Sequence, residues 1–139
     1  MITAVDTTVL LDVFGADPRF GPPSREALRH CRAEGALIAC DIVWAEVAAA
    51  FPREDVARDA LQKLGVRFDA LDEPVAMNAG TSWREYRRRG GARTRVIPDF
   101  LIAAHATAKA DRLLTRDRGF TRAYFGRLMV LDPTLTTAP

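Results

Sequence analysis

Four short, largely apolar runs recur along the chain: Ile2 to Val5, Ala36 to Cys40, Arg112 to Thr115 and Leu128 to Leu131. Each is too short for a buried helix. None shows the strict apolar-polar alternation of a strand with one wet face. Short, near-continuous apolar runs of this kind are the mark of strands covered on both sides, as in a parallel sheet. A fifth run, Val66 to Leu71, does alternate and reads as an edge strand. Between the runs lie segments long enough to be helices. The alternation predicts an α/β sandwich around a mostly parallel sheet.

The helical segments can be bounded from their punctuation. Thr7 to Phe14 has room for a turn or two, with Asp6 or Thr7 as cap. Asp17-Pro18 and Gly21-Pro22-Pro23 read as loop, with Ser24 capping a helix to Glu34 and Gly35 stopping it. Asp41 is expected to cap a helix to about Ala50, which Pro52 ends. Glu54 to Leu64, Pro74 to Arg89 and Asp99 to Lys109 complete the helices, with Gly119 to Phe125 as a loop or short helix.

A chain of 139 residues, 48% apolar and 27% charged, fits one domain, residues 1–139, with a substantial core. No apolar run approaches the roughly 20 residues that span a bilayer. The N-terminus lacks the basic start of a secretory signal. A cytoplasmic protein with no membrane partner is the expectation. Cys31 and Cys40 are the only cysteines, and without a Cys-x-x-Cys pair or nearby histidines they predict no structural zinc site.

Acidic residues accompany the apolar elements. Asp6 ends the first run, Glu46 sits inside Ile42 to Phe51, Asp99 opens a helix, and Asp117 follows Leu113-Leu114-Thr115. A carboxylate beside a buried element is costly unless something pairs with it. Four of them predict one shared counter-charge, and Mg²⁺ or Mn²⁺ suits oxygen donors. In a parallel sheet, sites lie beyond the carboxyl ends of the strands, where Asp6 and Asp117 would meet. Thr115, and Thr7 beside Asp6, could add hydroxyls. Each acid also has a plain structural role available: helix cap, turn corner or partner of an arginine. Asp12 and Asp41 form a second tier near the same edge, Asp41 most simply as a cap.

The basic residues are 18 arginines and two lysines, and six arginines fall between Arg84 and Arg95 with only Glu85 against them. Arginine presents a planar fork suited to phosphate. Arg88, Arg89 and Arg93 are therefore candidate RNA contacts, although a solvated helix end would look the same. His105 stands among alanines and reads as a packed histidine rather than a general base. The chain has no nucleophile elbow and no Walker-type phosphate loop.

Four of these segments resemble the motifs of the PIN-domain ribonucleases, and specifically of the VapC-like toxins of prokaryotic type II toxin–antitoxin pairs. They are Ala4 to Asp12, the mid-helix Glu46, Pro98 to Ala106, and Leu113 to Phe120. The resemblance spans nearly the whole chain, with element order intact. It implies a three-layer sandwich whose five-stranded sheet has the order 3-2-1-4-5. It implies that Asp6, Glu46, Asp99 and Asp117 are catalytic and bind Mg²⁺ or Mn²⁺, with Thr115 as an auxiliary hydroxyl. It implies metal-dependent endoribonuclease activity as a toxin, a VapB-like antitoxin partner and a homodimer. Asp41 departs mildly from the pattern, standing where relatives often carry Ser or Thr. An inhibiting partner could lay an amphipathic helix along the apolar segments Val9 to Phe14 and Val43 to Phe51.

Three other functions compete. A phosphoacceptor receiver domain would want adjacent acids after the first strand and a late lysine, but Thr7-Thr8 follow Asp6. A dehalogenase-type phosphatase would want an acid at position 8, where Thr8 stands. A catalytically inactive PIN-like RNA-binding or scaffold module is the alternative, and the retained acids argue against it.

Overall fold

The computed structural model describes residues 1–92 and 96–135. Its elements run β1 (Ile2–Val5), α1 (Thr7–Phe14), α2 (Gly21–Glu34), β2 (Ala36–Ala39), α3 (Asp41–Ala49), α4 (Glu54–Lys63), β3 (Val66–Phe68), α5 (Glu73–Arg88), α6 (Ile97–Lys109), β4 (Arg112–Leu114), α7 (Arg118–Tyr124) and β5 (Met129–Leu131). The strands form one sheet in the order β3-β2-β1-β4-β5, with every pairing parallel. Both the sheet order and its parallel character agree with the sequence reading.

Consecutive buried residues explain the layering. Thr3, Ala4 and Val5 are all buried, as are Leu37, Ile38 and Ala39 and the whole of β4. Neighbouring residues on a strand point to opposite faces, so burial of all of them means that helices cover both faces. The α1, α2, α3 and α4 helices pack against one another, α1 on both α2 and α3 and α3 on α4, and α5 packs on α6. The edge strands are less covered, and Phe68 and Met129 are exposed.

The central strands carry one charged side chain. Arg112 is 8% exposed, donates from Nε to Thr3 Oγ1 at 2.9 Å and from a terminal nitrogen to Glu34 Oε1 at 2.6 Å. The pairing ties β4 to β1 and to the end of α2.

Several local expectations are corrected. The helix expected from Ser24 begins at Gly21, because prolines at the first helical positions cost no hydrogen bond. Ser24 is therefore inside α2, fully buried, and donates to Asp12 Oδ2 at 3.0 Å. Asp41 is not the cap of α3. Cys40 occupies that position, and Asp41 Oδ1 accepts from the Leu71 backbone N–H at 3.2 Å, fastening the segment after β3. That segment is not strand, so β3 ends at Phe68 rather than Leu71. The α6 helix starts at Ile97, which puts Asp99 at its third position instead of at its start. Cys31 and Cys40 are buried free thiols, and burial pushes both up from their ordinary values. Among the described residues no helix is long and apolar enough to cross a membrane.

Candidate metal centre

The register of the central strands decides what meets at the sheet's carboxyl edge. Val5 pairs with Leu114, so the next residues, Asp6 and Thr115, emerge side by side. The Asp6 backbone N–H continues the ladder by donating to Leu114 O at 3.0 Å. Thr115 Oγ1 donates to Asp6 Oδ2 at 2.7 Å and accepts from the Asp117 backbone N–H at 3.1 Å. One hydroxyl thus links two of the expected acids.

Asp6, Asp99 and Asp117, with Thr115, line a small cavity of about 20 Å³ closed on its apolar side by Ile102, Ala103, Leu113 and Phe120. That is room for one water-sized occupant. Burial pushes the Asp6 carboxyl up from its ordinary range. The hydrogen bonds from Thr115 and the Thr7 backbone oppose this, while the charges of Asp99 and Asp117 add to it. Asp99 also serves its own helix, since its Oδ2 accepts from the Val96 backbone N–H at 3.4 Å.

Glu46 is placed differently. It is exposed on α3 and is not among the residues lining the cavity. Its Oε1 accepts from Thr7 Oγ1 at 2.8 Å, which keeps the carboxylate beside the residue that follows Asp6. Three of the four expected acids share the cavity and the fourth is tethered at its side. The Thr7 hydroxyl is occupied by this bond.

Among the described residues, no three His, Cys, Asp or Glu side chains stand together as a ready-made cation cage. The donors are still of the right kind. They are hard carboxylate and hydroxyl oxygens, with no thiol or imidazole on the cavity wall. The raised Asp6 carboxyl is what burial, joined by two like-charged neighbours, produces. In donor chemistry and in size the residues fit a small divalent cation.

Two supports of the site carry weak signals in the sequence. One is an ion pair behind the β4–α7 loop. Arg116, between Thr115 and Asp117, makes a bidentate pair with buried Asp12 at 2.9 and 3.0 Å. Its guanidinium lies 3.9 Å from the centroid of the Phe20 ring. The second-tier acid Asp12 therefore anchors the loop rather than joining the cavity. The other support is an aromatic cluster beneath α7. Phe120 packs edge-on to Phe100 at 4.8 Å, and Tyr86 meets Phe100 and Tyr124 at 5.4 Å each. Fully buried Phe100 thus carries the wall of the cavity on the core.

Of the other expected residues, His105 is buried and its Nε2 lies 2.6 Å from Asp69 Oδ2. Arg88 and Arg89 are exposed at the end of α5, where both pair with Glu85. Arg93 and Arg95 lie outside the described residues.

Comparison with known proteins agrees with this architecture. The PIN domain family matches residues 3–126. A comparison with curated protein sequences finds no significant match. Among solved structures, the chain is similar to VapBC2 from Rickettsia felis bound to a DNA fragment from their promoter. That match has 18% identity and a TM-score of 0.74, over 95% of this chain and 98% of the other. It is similar to VapBC-1 from nontypeable Haemophilus influenzae, with 20% identity, a TM-score of 0.71 and coverage of 96% and 99%. A toxin–antitoxin complex from Klebsiella pneumoniae gives 24% identity, a TM-score of 0.67 and coverage of 94% and 97%. With a PIN domain matched over most of its length and the fold shared across nearly all of it, the chain belongs to the PIN domain family.

Proposed function

We propose that this protein is a metal-dependent endoribonuclease, the toxin of a toxin–antitoxin pair. The observation that carries the reading is the meeting of Asp6, Asp99, Asp117 and Thr115 around one small cavity at the carboxyl edge of the sheet. Family membership and the toxin–antitoxin complexes among its structural neighbours support it.

Asp6, Asp99 and Asp117 would hold Mg²⁺ or Mn²⁺, with Glu46 beside them. When bound, such an ion polarises a phosphoryl oxygen and lowers the pKa of a bound water. The chain's own residues prepare the site. Thr115 orients the Asp6 carboxylate and, through the Asp117 N–H, sets the start of α7. Thr7 steadies Glu46. Ile102, Leu113 and Phe120 limit water on the inner side.

An antitoxin would need a surface near this centre. The sequence points to a partner helix along Val9 to Phe14 and Val43 to Phe51, but Val9, Val43 and Val47 are core residues. The open groove keeps Val13 and Phe14 of the first segment and runs over α1, α2 and α4, with Leu28 and Leu64 completing its floor. Arg25, Arg29, Arg32 and Lys63 rim it.

The test is cleavage of a labelled RNA by purified protein with and without Mg²⁺ or Mn²⁺, repeated with Asp6→Ala and Asp99→Asn. Metal-dependent cleavage that both variants lose is expected. The position of Glu46 outside the cavity favours one other reading, an inactive RNA-binding or scaffold module. Calorimetric titration with Mn²⁺ separates the two: no binding heat together with no cleavage would overturn the nuclease reading and favour the scaffold.

A further inference from the structure

The arginine-rich end of α5 forms one wall of a second depression, about 380 Å³ in volume, whose other wall is α7. Arg84, Arg88 and Arg89 line it together with Ser82 and Tyr124. One acid, Glu85, offsets part of their charge, pairing with Arg88 at 3.1 Å and with Arg89 at 3.0 Å. Three guanidinium groups against one carboxylate leave the depression positive.

The depression and the acidic cavity are both walled by α7. Phe120 and Thr121 line the acidic cavity, and Ala123 and Tyr124 line the arginine depression. Phe120 and Tyr124 are about one turn apart, roughly 6 Å along the helix axis. The Arg89 guanidinium lies 5.6 Å from the centroid of the Tyr124 ring, so charge and aromatic surface adjoin.

Arginines at a helix C-terminus also complement the helix dipole, and pairs three and four residues apart stabilise the helix. That accounts for Arg88 and Arg89. It does not account for Arg84, a turn earlier in the same depression. A guanidinium fork matches phosphate oxygens, and an aromatic ring beside it offers a face to an unpaired base.

We propose that Arg84, Arg88, Arg89 and Tyr124 form a phosphate subsite for single-stranded RNA. It would hold a part of the strand adjacent to the phosphate presented to the acidic cavity. The proposal rests on the reading that the acidic cavity acts on RNA.

The test measures binding without divalent metal, so that cleavage plays no part. Fluorescence anisotropy of a labelled oligouridylate, about 12 nucleotides long to fill a site of ordinary size, is followed across a salt series. Wild type is compared with the Arg84→Ala/Arg88→Ala/Arg89→Ala variant and with a control lacking Arg53, Arg58 and Arg67, exposed arginines at α4 and β3. For each phosphate that a variant no longer neutralises, the slope of log affinity against log salt should flatten by about 0.7. The triple variant should bind roughly tenfold more weakly at low salt. The control should keep the wild-type slope, and the triple lysine variant should restore most of it. Arg84→Glu leaves both pairs of Glu85 intact and should also flatten the slope, so the question survives a triple variant that does not fold. A wild-type slope in the triple alanine variant or in Arg84→Glu would overturn the subsite while leaving the nuclease reading standing. An equal weakening in the control would reduce the effect to net charge and overturn it too. Wild type that neither binds nor cleaves RNA would remove both the subsite and the function on which it rests.

Discussion

Arg116 grips Asp12 with two parallel hydrogen bonds, at 2.9 and 3.0 Å, although 104 residues separate them. Asp12 lies 6% exposed inside α1 and takes a third bond from Ser24. The grip falls between Thr115 and Asp117, so it fixes the loop that carries both. Replacing Arg116 by Met leaves the carboxylate buried without its partner. A loss of about 3 kcal/mol in urea unfolding is expected. The double change Asp12→Leu with Arg116→Met should recover part of that stability. It should not recover Mn²⁺ affinity, because the loop is no longer held from behind. Recovery of both in the double variant would show that the pair serves stability alone.

Like charges around the cavity make a prediction about the metal-free protein. The Asp6 carboxyl is pushed up by burial, so folding favours its protonated form. Its favourable contribution is complete at pH below the unfolded carboxyl's titration and is lost as pH rises through the folded one. Asp6→Asn removes that loss. At pH 7 without metal the variant should melt about 3–5 °C above wild type, a gap that closes in acid. Added Mg²⁺ should raise the wild-type melting temperature by mass action and leave the variant unmoved. Thermal scans in acid and at neutral pH decide the matter, and a variant less stable at neutral pH would sink it.

Glu34 titrates in the opposite sense. The hydrogen bond from Arg112 holds its carboxyl below the ordinary value of 4.5. This contribution is present above the unfolded value and disappears as pH falls through the folded one. Glu34→Gln should therefore flatten the acid limb of the stability curve, with little change in the neutral-pH response to Mg²⁺. A steeper acid limb in the variant would contradict the assignment.

Burial also predicts the cost of disturbing the wall of the cavity from below. Phe100 is fully buried and sits edge-on to Tyr86 and Phe120. Phe100→Ala should cost about 3–5 kcal/mol. Phe100→Leu should cost less, yet still weaken Mn²⁺ binding because Phe120 loses its support. Unchanged Mn²⁺ affinity in a folded Phe100→Leu protein would show that the cavity does not depend on the cluster.

The toxin reading predicts a growth phenotype. Wild type expressed without a partner should arrest growth, Asp6→Ala should not, and a co-encoded antitoxin should relieve the arrest. Equal growth of both strains, with soluble protein confirmed in each, would count decisively against it.

Much of the fold was legible because double-sided burial leaves a plain trace, as in Ala4-Val5 and Leu113-Leu114. Helix starts were less so. Pro22 and Pro23 look like loop residues until the first turn of α2 claims them, and Pro98 does the same for α6. Asp6, Asp99 and Asp117 were legible as a group because strand order brings residues after β1 and β4 together. Glu46 belongs to a helix over a different strand, and its hydrogen bond to Thr7 depends on side-chain reach that spacing does not encode. The same limit hid the partner of Arg116. An arginine between two site residues has no sequence mark that points across the fold to Asp12.

The bond between Thr115 and Asp6 joins positions 109 residues apart. During synthesis, Asp6 and Glu46 therefore leave the ribosome long before the residues that complete the cavity. At about 5–20 residues per second, the interval between Asp6 and Asp117 is roughly 5–20 s. Throughout it β1 lacks β4, and the carboxylates meant to share one small space have not met. The cavity therefore cannot close until Asp117 has been made, long after β1, α1 and α2.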